Sequence, residues 1–337
     1  MKRPGSISLY LIIFFLFSLP LKSQNIVIEK KIDSLLLIMT LEEKAGQLHQ
    51  VSLSWSTGPA SPETNKLDDI KTGRMGAILN ILGAKKIRAL QELAMQSRLK
   101  IPLLFGLDVI HGYKTTFPIP LAESMSWDLK AIENAARVAA YEAASSGINW
   151  TFAPMVDIAR DPRWGRIMEG AGEDTYLGSL IAAARVIGFQ GKGMGSLDAV
   201  MACVKHFAAY GAAVGGRDYN SVDMSERTLR QTYLPPFKAA VDAGAATFMN
   251  SFNDLNGIPA TGSSFLLRKI LKGEWGFTGF VVSDWNSIGE MIPHGYALDK
   301  YDAAKKASIA GTDMDMETYS YRDHLAELVK KGEVPLS

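Results

Sequence analysis

The run GFTGFVVSDW (276–285) climbs from a glycine turn through apolar residues and ends on a carboxylate and a large aromatic, Asp284 and Trp285. The same arrangement recurs upstream. Asp108 closes LLFGLD, and Asp157 closes APMVD and leads into RDPRWGR with Arg166. Lys205 and His206 close VMACVKHF, and Met249 and Asn250 stand near the end of AATFMNSF. Carboxylates and cationic donors that bond hydroxyls, with aromatic faces for C–H surfaces, suit a neutral polyhydroxylated ligand such as a sugar. A phosphate would ask for a glycine nest or more uncompensated cation. A divalent metal would ask for several His or carboxylates together. The chain has five His, none in an H-x-H or H-E-x-x-H pattern, so neither metal nor cofactor is expected.

Each group also has a purely structural reading. Asp108 could cap a helix. Arg160 or Arg163 is expected to pair with Asp157 or Asp161 and pin the loop, which leaves Arg166 for the ligand. Trp164 is expected to pack beneath that loop, with Glu169, Glu173 and Asp174 holding it. His206 taken alone reads as a satisfied core residue. Lys205, at the end of a continuous apolar run, needs a partner or a task.

For these groups to meet, the apolar runs must be neighbouring strands. Eight segments qualify: 47–51, 75–79, 101–109, 149–156, 199–207, 245–252, 278–284 and 309–314. They are apolar throughout rather than alternating, as in a parallel sheet covered on both faces. Helical patterns lie between them at 131–146, 176–189, 225–243 and 264–273, and Thr40 with Glu43 forms a capping box. This pattern predicts an α/β fold, a mostly parallel (β/α)8 TIM-like barrel. A doubly wound open sheet is the alternative, but no G-x-G-x-x-G follows a first strand. The long connections 157–175 and 208–224 both follow strands and would lie at the C-terminal mouth, where barrel active sites sit. Lys205 and His206 are neighbours, and neighbours on a regular strand point to opposite faces. Both reach one pocket only if a bulge or a non-proline cis bond interrupts the strand there.

The bulk properties bound the partners. Net charge is +1, with 47% hydrophobic and 21% charged residues and no Lys/Arg run, which gives no case for nucleic acid. Lys2 and Arg3 precede an apolar stretch, Leu9 to Leu21, too short for the roughly 20 residues that span a bilayer. Residues 1–23 read as a cleavable secretory signal, and loss of Lys2, Arg3 and Lys22 takes the charge from +1 to −2. No membrane span is expected after its removal, and the location is periplasmic or secreted. Cys203 is the only cysteine and sits in an apolar run, so it reads as a buried, inert thiol.

Four stretches, RDPRWGRIMEGAGEDTYL (160–177), KHFAAYG (205–211), MNSFNDLNGIPATG (249–262) and GFVVSDWNSIGEM (279–291), together resemble glycoside hydrolase family 3, nearest in type to its periplasmic β-glucosidases. The resemblance runs from about residue 30 to the C-terminus. It implies that residues 24–337 are the family's N-terminal (β/α)8 domain. It also implies a retaining hydrolase that releases non-reducing terminal β-D-glucose from oligosaccharides or aryl β-glucosides, with Asp284 as nucleophile. Asp108, Arg166, Lys205 and His206 correspond to residues that hold the glycone hydroxyls, and Met249 and Trp285 to residues that line the sugar site. Phe252 stands where many members carry Tyr. The loop 208–224 has no His, which separates the chain from the β-N-acetylglucosaminidase branch. In glucosidases of the family the acid/base comes from a following C-terminal domain, and the protein is expected to continue into one. Within the chain, Glu169, Glu173, Glu290 and Asp315 are acid/base candidates only by default. A β-xylosidase of the same family, a Schiff-base lyase or aldolase using Lys205, and a non-catalytic sugar-binding fragment are the competing readings.

Overall fold

The computed structural model describes residues 26–55 and 66–335. The expected signal at 1–23 lies outside the described residues. Ile26–Ile38 is a helix belonging to a separate compact unit that ends at Met39. The second unit begins at Thr40. There the capping box forms as expected: Glu43 N–H donates to Thr40 Oγ1 at 3.1 Å, and Thr40 N–H to Glu43 Oε2 at 2.9 Å.

The second unit is a parallel barrel. Its strands are β1 (His49–Ser52), β2 (Ala77–Leu79), β3 (Leu104–Leu107), β4 (Trp150–Thr151), β5 (Met201–Phe207), β6 (Thr247–Asn250), β7 (Phe280–Val282) and β8 (Asp315–Met316). They pair in parallel in the order β8-β1-β2-β3-β4-β5-β6-β7. A parallel bridge from Val282 to Met314 joins β7 back to β8. Side chains alternate across the barrel wall. Val51, Ile78, Phe105, Val204, Phe248 and Val281 join the outer core under the helices, whereas Leu79, Trp150, Cys203, Met249, Val282 and Met316 fill the interior. Both faces are therefore dry, which explains why the strands read as continuous apolar runs. The buried Trp150 Nε1 donates to Thr247 Oγ1 across the interior at 2.8 Å, so this polar atom is satisfied. Cys203 is free and fully buried, and burial pushes its thiol up to about 12, as an inert cysteine should be.

The helix Leu129–Ser145 starts on Asp128, whose side chain accepts from Ala131 N–H at 2.9 Å. Its alanines let it approach the helix Thr175–Gln190, where a Cβ at Gly188 would meet Glu133 O at 2.4 Å. Among the described residues no helix is long and apolar enough to cross a membrane.

Boundaries differ from the sequence reading where backbone chemistry intervenes. The fourth strand shrinks from 149–156 to Trp150–Thr151, because Pro154 has no N–H for the ladder; Met155 regains one bridge, to Lys205. The eighth strand moves beyond 309–314. The helix Lys300–Ala310 occupies its expected start and ends on Gly311 at φ 107°, a left-handed cap that glycine takes without Cβ strain. The single helix expected at 225–243 is interrupted. Pro235 and Pro236 cannot donate, and the turn Leu229–Tyr233 widens so that Leu234 N–H bonds Leu229 O at 3.0 Å. The helix expected at 264–273 runs as Phe265–Glu274 with the same widened hydrogen-bond pattern; Trp275 N–H closes it on Ile270 O at 3.0 Å.

Gly106 on β3 packs directly against the Phe152 ring. A Cβ there would lie 2.6 Å from Phe152 Cζ. Gly106→Ala should destabilise the fold by about 1–3 kcal/mol through overpacking. The check is a denaturant titration, and an unchanged midpoint would show that the interior can yield at this layer.

Candidate active site

The C-terminal ends of β3 to β7 bring together residues that are far apart in the chain. Asp108 follows β3, and Asp157 follows the short β4. Lys205 and His206 end β5, Met249 and Asn250 end β6, and Asp284 and Trp285 follow β7. Lys205 Nζ donates to Asp108 Oδ1 at 2.6 Å, a pair buried on the lysine side and half open on the aspartate side. Burial works against the Lys205 charge, but Asp108 offsets it and holds the ammonium above the ordinary lysine range. A Schiff-base lysine needs the opposite shift, so the aldolase reading loses its electrostatic basis.

The regular strand does break at Lys205-His206. The Lys205–His206 and Phe207–Ala208 peptide bonds are cis, and the β5–β6 register shifts between Val204 and Phe207. Lys205 thereby reaches Asp108 while His206, one residue on, also faces the pocket. His206 backbone N–H donates to Asp157 Oδ2 at 2.8 Å, and its ring Nδ1 lies 2.8 Å from the same oxygen. The other ring nitrogen, Nε2, stands 3.5 Å from Asp284 Oδ2. Burial, with Arg166 and Lys205 nearby, holds the His206 ring well below the ordinary histidine range, so it is neutral.

Asp284 is 8% exposed and is held through its side chain and its backbone. Trp285 N–H donates to its Oδ1 at 2.7 Å. Its own N–H donates to Asn250 Oδ1 at 3.2 Å, and Asn250 is anchored in turn by Thr261, Ser287 and Thr312. Its second oxygen, Oδ2, is buried without a hydrogen-bond partner among the described residues, as is His206 Nε2. Burial raises Asp284 to about 6, against the lowering pull of Arg166 and Lys205. Trp285 and Met249 are buried in the interior cluster next to it.

Arg166, left for a ligand in the sequence reading, makes a bidentate pair with Glu169 at 2.6 and 2.9 Å. Its guanidinium also lies over the Tyr210 ring, 5.5 Å from the centroid. Its side chain remains 22% exposed. A cleft of about 230 Å³ opens beside Asp108 and Glu169 and is lined also by His111 and Met168. The loop assignments hold for Arg163, which pairs with Asp161 at 2.7 Å, for Trp164, which is buried, and for Asp174, which caps the helix Thr175–Gln190. Asp157 is a correction. It holds His206 and not an arginine, because the bent β5 turns the backbone N–H and the ring Nδ1 of His206 towards it. Its position at a strand end was the available signal. Tyr210 is a further residue of the site that sequence reasoning passed over, and Asn250, noted there at a strand end, was given no role. Among the default acids, Asp315 is buried and occupied by Thr318 and Tyr321, and Glu169 is occupied by Arg166. Glu290 is part-buried, and burial followed by the Asp284 charge raises it to about 7. Among the described residues no group of three or more His, Cys, Asp or Glu could hold a metal ion.

Burial likewise raises Asp157 to about 7. The folded chain therefore keeps protons on Asp157 and Asp284 that the unfolded chain, with aspartates near 3.8, has released. Their contribution to stability is complete below about pH 4 and is lost as pH rises through about 6 to 7. Asp157→Asn cannot ionise, so its urea midpoint should drop less than the parent's between about pH 4.5 and pH 7.5. An equal drop in both proteins would remove Asp157 as a source of that slope.

Residues 40–337 match the model of the glycosyl hydrolase family 3 N terminal domain. The chain is 48% identical over 307 residues to a periplasmic beta-glucosidase of Salmonella typhimurium, covering 91% of this chain and 40% of that protein. A putative beta-xylosidase of Formosa agariphila is 33% identical, with 92% of this chain and 44% of that protein covered. The beta-glucosidase from Listeria innocua, solved in complex with isofagomine, superimposes with a TM-score of 0.87 at 43% identity, over 91% of this chain and 43% of that one. The same enzyme has been solved with glucose and, as a mutant, with laminaribiose. The chain spans less than half the length of these relatives. With the family's domain matched over residues 40–337, and a relative 48% identical over 91% of the chain, the chain belongs to glycosyl hydrolase family 3 and carries that family's N-terminal domain.

Proposed function

We propose that the chain is the barrel part of a retaining β-glucosidase that removes terminal β-D-glucose through a covalent glycosyl-enzyme on Asp284. One observation carries this reading. At the barrel mouth, Asp284 has one oxygen pinned by a backbone N–H and the other buried without a hydrogen-bond partner among the described residues, 3.5 Å from His206 Nε2. The beta-glucosidase relatives, and the Listeria innocua enzyme with glucose in particular, support glucose over xylose as the glycone.

Each neighbour has a part in this reading. Arg166 and Lys205 favour the ionised form of Asp284, which a nucleophile requires. Asp108 and Lys205, already paired, bind adjacent hydroxyls of one sugar as acceptor and donor. The neutral His206 presents Nε2 next to the nucleophile, oriented by Asp157. Trp285 and Met249 give the pocket an apolar wall. Contacts of this kind speed the reaction only to the extent that they tighten as the oxocarbenium-like transition state forms. The acid/base of a retaining enzyme stands roughly 5–5.5 Å from the nucleophile. We assign it to a further domain of the kind that the relatives' additional length would hold. Secretion to the periplasm, with 1–23 as signal, completes the reading.

A 2-deoxy-2-fluoro-β-glucosyl fluoride tests the nucleophile directly, because fluoride leaves without a proton donor. Mass spectrometry should find one fluoroglucosyl group on the peptide bearing Asp284, and none in Asp284→Asn. The labelling rate should climb with pH through about 6 and then level off, as Asp284 loses its proton. An adduct on another residue, or none, would sink the assignment. Faster labelling by the xylosyl analogue would favour the β-xylosidase reading.

A further inference from the structure

The loop 208–224, with Phe252 after β6, carries a row of aromatic rings outward from the pocket floor. Tyr210 stands edge-on to the His206 ring at 5.0 Å and edge-on to Trp164 at 5.3 Å. Phe252 lies 5.8 Å from Tyr210. Tyr219 covers both, 4.4 Å from Phe252 and 6.3 Å from Tyr210. Tyr210 and Phe252 are buried, whereas Tyr219 is 45% exposed. The row therefore begins at a residue of the candidate site and ends on a ring that is half in solvent.

The loop holds that ring in a set place. Asp218 accepts from Trp164 Nε1 at 2.9 Å on one side of Tyr219. On the other side, Val222 N–H bonds Asp254 O at 3.0 Å, and Asn256 N–H bonds Val222 O at 2.8 Å. Tyr219 itself has φ 63°, a left-handed conformation unfavourable for any residue with a Cβ. A tyrosine that only shielded Phe252 would need neither its hydroxyl nor this backbone. The phenol is pushed up to about 12, by burial first and then by the charges of Asp284, Glu290 and Asp218. By contact, its ring packs on Phe252 and on Tyr210, whose own ring stands against His206. The glycone groups Lys205 and His206 lie deeper, at 4% and 1% exposure. A sugar ring against Tyr219 would have its far face in solvent, which is the position of a leaving group and not of the residue being cleaved off.

Resting on the β-glucosidase reading, we propose that Tyr219 forms a wall of the leaving-group subsite, its ring face against the second sugar of a disaccharide and its hydroxyl bonded to a sugar hydroxyl. The chemistry that would recognise this wall is a neutral pyranose, with C–H groups for the ring and a hydroxyl for the phenol.

The test compares a monosaccharide with a disaccharide. Glucose and laminaribiose are titrated calorimetrically into the intact protein carrying Asp284→Asn, which keeps the disaccharide whole. Adding Tyr219→Ala should weaken laminaribiose by about tenfold while glucose stays within about twofold. Tyr219→Phe, which keeps the ring and fits the same space, should fall between parent and alanine variant. An unchanged ratio of the two affinities would overturn the proposal. So would an equal loss of both sugars, which would make Tyr219 a packing residue of the pocket. Failure of the protein with tyrosine at 219 to bind glucose would overturn the β-glucosidase reading itself, and this inference with it.

Discussion

A carboxylate with one bare oxygen, buried at the mouth of an apolar barrel, is the feature around which this structure is arranged. Asp284 Oδ2 has no hydrogen-bond donor among the described residues, yet the group sits with little access to water. Burying such a group is costly unless charge or hydrogen bonds compensate. Compensation here is partial: a backbone N–H on the other oxygen, and two cations, Arg166 and Lys205, at a distance. The result is an acid that ionises near neutral pH and keeps one oxygen without a hydrogen-bond donor among the described residues. Strong pairing would have made it more stable and less reactive.

The compensating cations are themselves restrained. Lys205 is tied to Asp108 and Arg166 to Glu169, so neither collapses onto Asp284. His206 could approach, with its Nε2 3.5 Å from the bare oxygen, but Asp157 holds the residue through two contacts to one carboxylate oxygen. Acid–base pairs of this kind surround the nucleophile and leave it free. Because the low-dielectric interior strengthens each pair, small displacements of one partner would be felt by the rest.

The barrel makes this affordable in structural terms. Its interior is filled by Trp150, Phe152, Met249 and Trp285, which gives the polar groups rigid supports. Asn250 joins β6 to the Asp284 backbone and to Thr261, Ser287 and Thr312, so the nucleophile's position is set by four segments of chain. Above that floor the loops 157–175 and 208–224 meet through Trp164 and Asp218. They close one flank of the mouth with aromatic rings that run from His206 to solvent.

Much of this was legible in the sequence because it is local or periodic. Continuous apolar runs separated by amphipathic stretches imply a covered parallel sheet, and polar residues at their ends imply a shared mouth. Asp108, Arg166, Lys205, His206, Met249, Asp284 and Trp285 could all be named in that way or by resemblance, and the broken backbone at Lys205-His206 followed from the period of two. What tertiary structure alone decided is which charges pair. Asp157 could have served an arginine two or more residues away. It serves His206, 49 positions on, because β4 and β5 are neighbours and β5 bends there. The strand ends at Pro154 and Gly311 and the widened helix before Pro235 depended likewise on where neighbouring backbone could donate. Tyr219 had no signal at all in its own stretch of sequence. Its place at the mouth comes from a left-handed turn and a contact with Phe252, 33 positions away, and distance along a chain carries no information about distance in space until the barrel closes.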